Sequence, residues 1–484
     1  MKQRLAWLGF CALALGGCSL APVYHVPETP TPVAYKEKDG WVQARPEDDK
    51  PKGDWWKRFQ DPDLDMLESK VGLGNQNLKV ALARLEEARA GARGARAAYY
   101  PQVAASGYMQ DARISVDKPF YFPFFSPVYQ DNFLGGTVSY ELDVWGQIRN
   151  SVVASDAMAA SSAADMATLE LSIRAELASD YFALRGYDRN LVLLGQLVDV
   201  FRQVLDLTQK LYEGGGASAT DVAQARLQLQ NGVTQITDER LKRSQLEHAM
   251  ATLVGEPASS FSIAPGKSFV ISMPNIDVGM PSILLQRRPD IASAERQVVA
   301  ANAEIGVARA AFFPVFGLNV GAGLESQNIS NWMTAPSRLW SVGPSVALPL
   351  FDGGQRQSVT DRAHAALDGA AANYRQTVLK AYQEVEDNLS AMRELNHELK
   401  SAGEADAAAR DTLDQADHSY QGGIASYLED VTARSVALQS DLELTDIQVR
   451  YVTASVQLIK ALGGDWQTGA KDQTDMASVG KSSQ

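Results

Sequence analysis

Hydrophobic and polar residues alternate along four short segments of the chain. In residues 316–325 and again in residues 341–350, one set of alternate positions is mainly apolar and the other is mainly small or polar. In the first half of the chain, residues 134–142 show the same pattern and residues 101–110 show a weaker version of it. A period of two over about 10 residues is typical of transmembrane barrel strands. A half-buried strand of a soluble protein has the same period, so alternation alone leaves both interpretations open.

Two long segments without proline follow these strand pairs, from about Gly146 to Leu211 and from about Gly354 to Tyr420. In the first of them, apolar residues recur at alternating spacings of three and four, as in a coiled-coil seam. Roughly 65 residues in one helix would extend about 100 Å. A glycine-rich turn ends each segment, and a returning helix is predicted to about Gly255 or Leu462. Helices of this length need neighbours along their whole length.

A shorter helix is predicted before each strand pair, over Leu64–Ala98 and Pro281–Phe312. Pro101 and Pro314 follow these segments, and proline stops a helix because it lacks an N–H group and restricts the preceding residue. Each half of the chain therefore has the same predicted order: short helix, strand, strand, very long helix, tight turn and long helix.

The chain also repeats short sequences in the same order. The segment RAAYYP at 96–101 recurs as RAAFFP at 309–314, and YEGGGAS at 212–218 recurs as YQGGIAS at 420–426. The spacing is roughly 210 residues each time, whereas solenoid repeats have periods of about 20–50 residues. The sequence therefore predicts a tandem duplication of one structural unit.

The N-terminus has the pattern of a secretory signal over residues 1–17, with basic residues, a short apolar run and two glycines. Leu15-Gly16-Gly17-Cys18 resembles the bacterial lipobox, in which the cysteine is acylated and begins the mature chain. The alternative is an ordinary signal peptide with a chance cysteine. Ser19 follows Cys18, and in such lipoproteins a residue other than Asp at this position usually directs the protein to the outer membrane. Several acyl chains form a stable anchor, and the proline-rich Pro22–Pro32 is expected to be an extended tether.

Composition narrows the function classes. The 484 residues include 45 Lys and Arg against 58 Asp and Glu, for a net charge of -13. A nucleic-acid-binding protein usually carries a basic surface, so this balance argues against one. The 2 cysteines cannot form a disulfide-rich scaffold or a zinc site of the usual spacing. The 5 histidines are scattered, and no hydrolase or metalloprotease motif is present. We therefore expect no catalytic, cofactor or metal site.

The mature chain has no apolar stretch of the ~18 residues that a transmembrane helix needs. Barrel strands could span a bilayer instead, but four strands cannot close a barrel with a lumen, for which about eight are needed. The chain is therefore expected to oligomerise, and a trimer would supply twelve strands.

Several segments together resemble the outer membrane factors of tripartite efflux systems, the TolC-like ducts, and among them the OprM/NodT-like outer membrane lipoproteins. The resemblance covers nearly the whole mature chain in the expected order. It rests on LAPVY at 20–24, Trp55-Trp56 with Phe59 and Asp61-Pro62, ELDVWG at 141–146, LQRRPDI at 285–291 and the two Tyr-x-x-Gly-x-x-Ser turns. The RRPD part of the fourth segment could suggest an anion site. We expect it instead to order the entry into the following helix, with Pro289 near the helix start.

The resemblance implies an α+β membrane protein: a trimeric twelve-stranded transmembrane β-barrel continued by a long α-helical periplasmic barrel, with two tandem repeats per chain. The expected organisation follows. It comprises a signal peptide at 1–17, a lipidated tether and equatorial segment at 18–61, the first repeat at 62–257, an equatorial link at 258–280, the second repeat at 281–464 and a tail at 465–484.

The resemblance also implies the function and the partners. The protein would be a passive outer membrane duct, anchored by lipid at Cys18, that receives small molecules from a periplasmic adaptor and an inner-membrane pump of the RND type. The helix-turn-helix tips would meet the adaptor. The matching positions are Gly214, Gly215, Gly216, Ser218, Gly422, Gly423 and Ser426. The alternative is an outer-membrane-anchored coiled-coil scaffold or adhesin without a conduit.

A gate of acidic residues is implied at the same tips. Glu429 occupies the position of the family's first gate acid, Asp430 follows it, and Asp221 is the first-half counterpart. The family's second acid would fall at Thr432 and its locking arginine at Ala425, so the sequence departs from the pattern there. Carboxylates repeated threefold near one axis would favour cations and oppose tight closure. The alternative is a solvated acidic helix end that is stabilised by the helix dipole.

Overall fold

The computed structural model of the chain describes residues 19–32, 34–36, 53–119, 122, 124, 126–266 and 287–464. The predicted signal segment 1–17, Cys18, residues 267–280 of the predicted link and the predicted tail 465–484 lie outside the described residues.

The described chain contains seven α-helices and four β-strands. In chain order they are α1 (Pro62–Gly74), α2 (Gln76–Ala97), β1 (Gln102–Arg113), β2 (Val128–Leu142), α3 (Gln147–Glu213), α4 (Ala219–Val254), α5 (Pro289–Ala310), β3 (Val315–Ser326), β4 (Arg338–Ala347), α6 (Gln355–Gln421) and α7 (Tyr427–Ala461). Short 3₁₀ helices cover Trp55–Phe59, Ile329–Asn331 and Ala335–Ser337. Among the described helices, none has the length and apolar character needed to cross a membrane.

The predicted order of elements and the two repeats are confirmed, and α3 and α6 are both 67 residues long. The short helix expected over Leu64–Ala98 is instead two helices, which meet at Asn75. The Asn75 side chain accepts the Leu78 N–H at 3.0 Å and donates to the Leu253 carbonyl at 2.7 Å. A side chain that bonds the backbone in this way favours a helix start, so it interrupts a segment of otherwise helical composition.

Proline begins the first helix of the second repeat, as expected. Pro289 is the first residue of α5, and the preceding Arg288 pairs with Asp290 at 2.7 Å and with Glu384 at 2.7 Å. Arg288 also donates to the Ala461 carbonyl at 3.0 Å. The guanidinium is therefore used within the chain to fix the entry into α5, which confirms the structural interpretation of this segment.

The chain divides into two compact units. One contains the described residues of Met1–Glu28, Arg84–Ala163 and Ser293–Arg375, and the other contains those of Thr29–Ala83, Ala164–Ala292 and Gln376–Gln484. The first unit holds all four described strands, and the second is built from helices and the segment around Trp55.

In the first unit the strands form one antiparallel sheet in the order β1-β2-β3-β4. Gln102 pairs with Ser139, Ser139 also pairs with Asn319, and Val315 pairs with Ala347. Because side chains alternate between faces, these pairs align the small and polar residues of all four strands on one face of the sheet. The other face carries most of the large apolar residues, including Val103, which is 77% exposed in the single chain.

Strand β4 ends earlier than its hydrophobic pattern predicted. The alternation continues to Leu350, but the last paired residue is Ala347. Its partner Val315 is the first residue of β3, so no described strand lies beside residues 348–350.

The turn from β2 into α3 explains the ELDVWG segment. Asp143 accepts the backbone N–H groups of Ile148 and Arg149, both at 2.9 Å, and pairs with the Arg149 side chain at 3.0 Å. Trp145 donates its indole N–H to the Pro314 carbonyl at 2.8 Å and packs against Phe313. The corner therefore joins the end of β2 to the start of β3, across the boundary between the two repeats.

In the second unit, the segment that follows α4 is held by buried charges. Asp188, on α3, is nearly fully buried and accepts from Arg243 of α4 at 2.6 Å and from the Gly266 N–H at 2.9 Å. Arg243 also donates to the Ile263 carbonyl at 2.7 Å. Burying a charge is costly unless it is paired, and these contacts supply the partners.

A buried carboxyl group lies beneath the aromatic cluster of the second unit. Glu68 of α1 is fully buried, and one of its oxygens lies 3.3 Å from the Arg174 guanidinium, which stacks on Trp56. The other oxygen has no hydrogen-bond partner within the described structure. Burial raises the pKa of Glu68 to about 8, although Arg174 acts in the opposite direction.

This raised pKa predicts that stability falls as pH rises. The folded chain keeps the Glu68 proton over a range in which an unfolded glutamate, with a pKa near 4.3, has lost it. Its contribution is therefore present below about pH 4 and is lost as pH rises towards 8, by on the order of a few kcal/mol. Glu68→Gln keeps the shape without the titration. We expect it to flatten the decline of the thermal unfolding temperature between pH 5 and pH 8, measured by circular dichroism in detergent.

Glu86→Gln is the matched control, because Glu86 is an exposed helical glutamate that pairs with Arg89 at 2.8 Å. This variant should keep the pH dependence of the unaltered protein. If the unfolding temperature of the Glu68→Gln variant showed the same pH dependence as that of the unaltered protein, Glu68 would be ionised over the whole range from pH 5 to pH 8.

Candidate functional site

The two helix-turn-helix tips carry most of the candidate residues, and their turns close in the same way. Gly215 and Gly423 have φ of +77° and +70°, a conformation that glycine adopts without steric cost. The following residue in each turn donates back to the preceding helix: Gly216 to the Leu211 carbonyl at 2.7 Å and Ile424 to the Ser419 carbonyl at 2.9 Å. These bonds satisfy carbonyl groups at the ends of α3 and α6.

Each returning helix begins with a capping box. Ser218 accepts the Asp221 N–H at 3.2 Å, and the Asp221 carboxylate accepts the Ser218 N–H at 2.8 Å. At the second tip, Ser426 accepts the Glu429 N–H at 3.4 Å and Glu429 accepts the Ser426 N–H at 2.8 Å. The serines and acids therefore satisfy N–H groups that a helix start leaves unpaired. The hydrogen bonds from Ser218 hold the pKa of Asp221 below its ordinary range.

The third predicted gate residue has different surroundings. Asp430 is only 4% exposed and lies 3.4 Å from Arg434, which in turn lies 4.0 Å from Asp417 on α6. One Asp430 oxygen is buried without a hydrogen-bond partner in the described chain. Within a single chain, Asp430 is therefore buried beside Arg434, which links α7 to α6, whereas Asp221 and Glu429 are exposed.

All seven residues predicted to contact an adaptor are exposed in the single chain. Their exposed neighbours include an apolar residue that the sequence analysis did not single out, Ile424, which is 87% exposed. Ala425 and Thr432, where the sequence departs from the family pattern, carry no charge. Thr432 donates its hydroxyl to the Leu428 carbonyl at 2.7 Å, within its own helix.

A hydrogen bond between two residues that are far apart in sequence joins the second tip to α3. The Tyr427 hydroxyl donates to the Gln203 side chain at 2.8 Å, and the Tyr420 ring lies 5.5 Å from the Tyr427 ring. These groups border an open cavity of about 740 Å³. It is lined by Asp199, Arg202, Gln203, Asp206, Leu207, Lys210, Tyr420 and Tyr427. No local signal reveals this contact, because the two bonded residues are 224 positions apart.

The residues that follow Cys18 are held against the first unit. Ser19 donates to the Asn150 side chain at 3.1 Å, near the start of α3. On α5, Asn302 donates to the Pro22 carbonyl at 2.9 Å, and Glu295 accepts from Tyr24 at 3.2 Å. The start of the segment expected to be an extended tether is therefore docked against this unit rather than free. Cys18 itself lies outside the described residues.

No group of three or more His, Cys, Asp or Glu side chains in the described ranges is arranged to hold a metal ion.

Comparison with known proteins gives a consistent result. The family model for outer membrane efflux proteins matches residues 69–256 and 280–464. The toluene efflux pump outer membrane protein TtgC of Pseudomonas putida is 29% identical over 482 residues, with 98% of each chain covered. The cation efflux system protein CusC of Escherichia coli is 28% identical, covering 94% of this chain and 98% of CusC.

A solved structure shares the fold. The outer-membrane channel OprN superposes with a TM-score of 0.82 at 28% identity, covering 93% of this chain and 100% of OprN.

Proposed function

We propose that the chain, which belongs to the outer membrane efflux protein family and is an outer membrane channel of a tripartite efflux pump, conducts as a passive trimeric duct. The four-stranded open sheet is the observation that supports this proposal most directly. Among the described residues, its two outer strands each have one edge without a partner, and open sheet edges are not tolerated in hydrocarbon. Three copies would supply the twelve strands that close a barrel with a lumen.

A periplasmic adaptor and an inner-membrane pump of the RND type would complete the export system. The exposed tips, with Gly214–Gly216 and Ser218 on one side and Gly422, Gly423 and Ser426 on the other, are proposed to meet the adaptor. In this system the inner-membrane pump would drive export. The names of the relatives refer to cargoes as different as toluene and cations, which favours a permissive duct with selection by the pump.

A conduit predicts single-channel current. The purified full-length protein in a planar bilayer should give discrete conductance steps. Thr137→Pro should abolish these steps. Thr137 lies in β2 between Ala104 and Gly321, and a proline there removes a ladder donor from a strand paired on both sides. A scaffold or adhesin without a conduit would give no steps with the unaltered protein, and that result would overturn the proposed function.

We propose that Asp221 and Glu429 also act at the periplasmic entrance, in addition to capping their helices. In a threefold assembly each would occur three times, at the end of a helix hairpin. Asp430 is more buried and would contribute mainly by holding α7 against α6 through Arg434.

Glu429→Gln separates the two roles of Glu429, because glutamine still accepts the cap hydrogen bond but carries no charge. We expect Glu429→Gln, and to a similar degree Asp221→Asn, to lower the cation-to-anion permeability ratio measured from reversal potentials under a salt gradient. Asp430→Asn should change the ratio less.

Glu443→Gln is the charge-matched control, since it removes an exposed acid about 20 Å further along the same helix. Unchanged selectivity in the Glu429→Gln and Asp221→Asn channels would restrict both acids to helix capping.

We also propose that Cys18 is acylated and anchors the chain in the outer membrane. Ser19 lies beside Asn150 and Gly146, immediately after the strand-to-helix corner. An anchor on the preceding residue would therefore start close to the membrane-spanning strands.

Intact mass spectrometry tests the anchor. The mature protein should begin at Cys18 and exceed its sequence mass by a diacylglycerol and a fatty acyl group, and Cys18→Ser should lose this increment. Cys11→Ser should keep it, since Cys11 would be removed with the signal peptide. A mature mass without the increment would show that Cys18 is not an anchor.

A further inference from the structure

A stacked aromatic pair lies on the polar face of the sheet, where most residues are small or polar. Phe133 of β2 lies directly opposite Tyr108 of β1, and the two rings are stacked, with centroids 5.3 Å apart and an interplanar angle of 25°. Because side chains alternate along a strand and the register is continuous, Phe133 shares the face of Ser139. An apolar ring on the face proposed to line a water-filled passage needs a structural or a functional reason.

Two glycines leave room for the Phe133 ring. A Cβ atom at Gly135 would lie 2.5 Å from the Cζ atom of Phe133, and a Cβ atom at Gly323 would lie 3.3 Å from its Cε2 atom. The ring therefore occupies space that a side chain at Gly135 would need. An aromatic ring that covers glycines helps to fix the register of a sheet. This is a structural explanation for Phe133.

The Tyr108 ring is held from its polar end. Its hydroxyl donates to the Asp131 carboxylate at 3.0 Å, and the same carboxylate oxygen accepts from the Gln110 side chain at 3.4 Å. Tyr108 nevertheless remains 44% exposed in the single chain. Phe133 alone covers the glycines, so the structural explanation does not account for a second ring that is both fixed in position and open to solvent.

The charges beside this pair have one sign. Among the paired residues of the polar face, the charged side chains are three acids and no Lys or Arg: Asp131, Glu141 and Glu325. Asp131 accepts from Tyr108, and Glu325 lies directly opposite Phe133 on β3. The two arginines of the described strands lie on the other face: Arg113 and Arg338. An aromatic face attracts cations, and nearby carboxylates strengthen the attraction.

We infer that Tyr108 and Phe133, with the flanking carboxylates of Asp131 and Glu325, form a contact site for planar aromatic cations inside the channel. A flat cation can stack on the exposed ring surface while the carboxylates offset its charge. The inference rests on the proposed duct, in which the polar face lines the passage, and it adds a class of cargo that the passage itself contacts. The contact is weak, because conduction requires that cargo can leave.

Block of single-channel current by ethidium, a planar aromatic cation, tests the site. Ethidium is added to both sides of a planar bilayer that contains the full-length protein, and the concentration that halves the conductance is measured. Phe133→Leu and Tyr108→Leu should each raise this concentration about three- to tenfold, the loss expected for one aromatic contact to a cation. Tyr108→Phe keeps the ring and should raise it less. Measurement in about 1 M potassium chloride, with a screening length of about 3 Å, suppresses the general field of the passage.

Two variants are the matched controls. Tyr140→Leu removes an aromatic ring from the same strand but from the other face, since Tyr140 lies opposite Leu318. Glu141→Gln removes a carboxylate of the polar face about 26 Å from Phe133 along β2. Both should keep the half-blocking concentration of the unaltered channel, whereas Glu325→Gln should raise it. Pyrenesulfonate, a planar aromatic anion, should block the unaltered channel less than ethidium does.

The outcomes separate this site from the channel itself. A higher half-blocking concentration in both aromatic variants and in neither control supports the inference. If Phe133→Leu gives no channels, Tyr108→Leu decides, because Phe133 then still covers the glycines.

Four results would count against the site. An unchanged half-blocking concentration in either aromatic variant that conducts overturns the inference and restricts the pair to a structural role. An equal rise in Tyr140→Leu, or no block of the unaltered channel by ethidium, also overturns it. Equal block by pyrenesulfonate overturns the preference for cations. If the unaltered protein gives no conductance steps at all, the proposed duct is overturned, and the site with it.

Discussion

Backbone hydrogen bonding at the edges of one small sheet is the constraint on which this protein depends. Four antiparallel strands leave two edges open, and each edge carries N–H and C=O groups that hydrocarbon cannot satisfy. Within the chain, the internal duplication meets part of this requirement, because β2 of the first repeat pairs with β3 of the second.

The helical part of the chain meets a different requirement, since a 67-residue helix has no core of its own. Small residues let helices approach closely, as where Ala154 and Ala157 of α3 pack against Ala300 and Ala303 of α5 in the first unit. In the second unit, charged residues join helices that are distant in sequence. Asp441 of α7 accepts from Arg189 of α3 at 2.7 Å and from Arg410 of α6 at 2.9 Å. Such ion pairs help to determine which helix faces pack together. Apolar stripes alone would determine this packing less specifically.

The tips combine structural and functional demands on the same side chains. Asp221 and Glu429 complete capping boxes, so they are required for well-formed helix starts whether or not they face a passage. Their charges remain exposed, so a structural role does not remove an electrostatic one. The contact between Tyr427 and Gln203 shows that the second tip is also held from the side, by α3. Movement of this tip would have to break that hydrogen bond or carry α3 with it.

Much of the fold could be predicted from the sequence because its signals are local. The period of two, the long proline-free segments, the glycines at Gly215 and Gly423 and the repeated RAAYYP and YxxGxxS segments act over a few residues, and they determine the strands, the long helices, the tight turns and the duplication. Asp221 and Glu429 were singled out by their positions in the family pattern and not by a local signal, although each follows a serine by three residues, which is the spacing of a capping box.

The tertiary structure decided what depends on residues brought together from far apart. It placed a helix boundary at Asn75 through a bond to Leu253, buried Asp430, held Tyr427 against Gln203 and ended β4 at Ala347. A sequence pattern shows that a residue is polar or apolar, but the partner that makes its burial or pairing favourable is known only once the chain has folded.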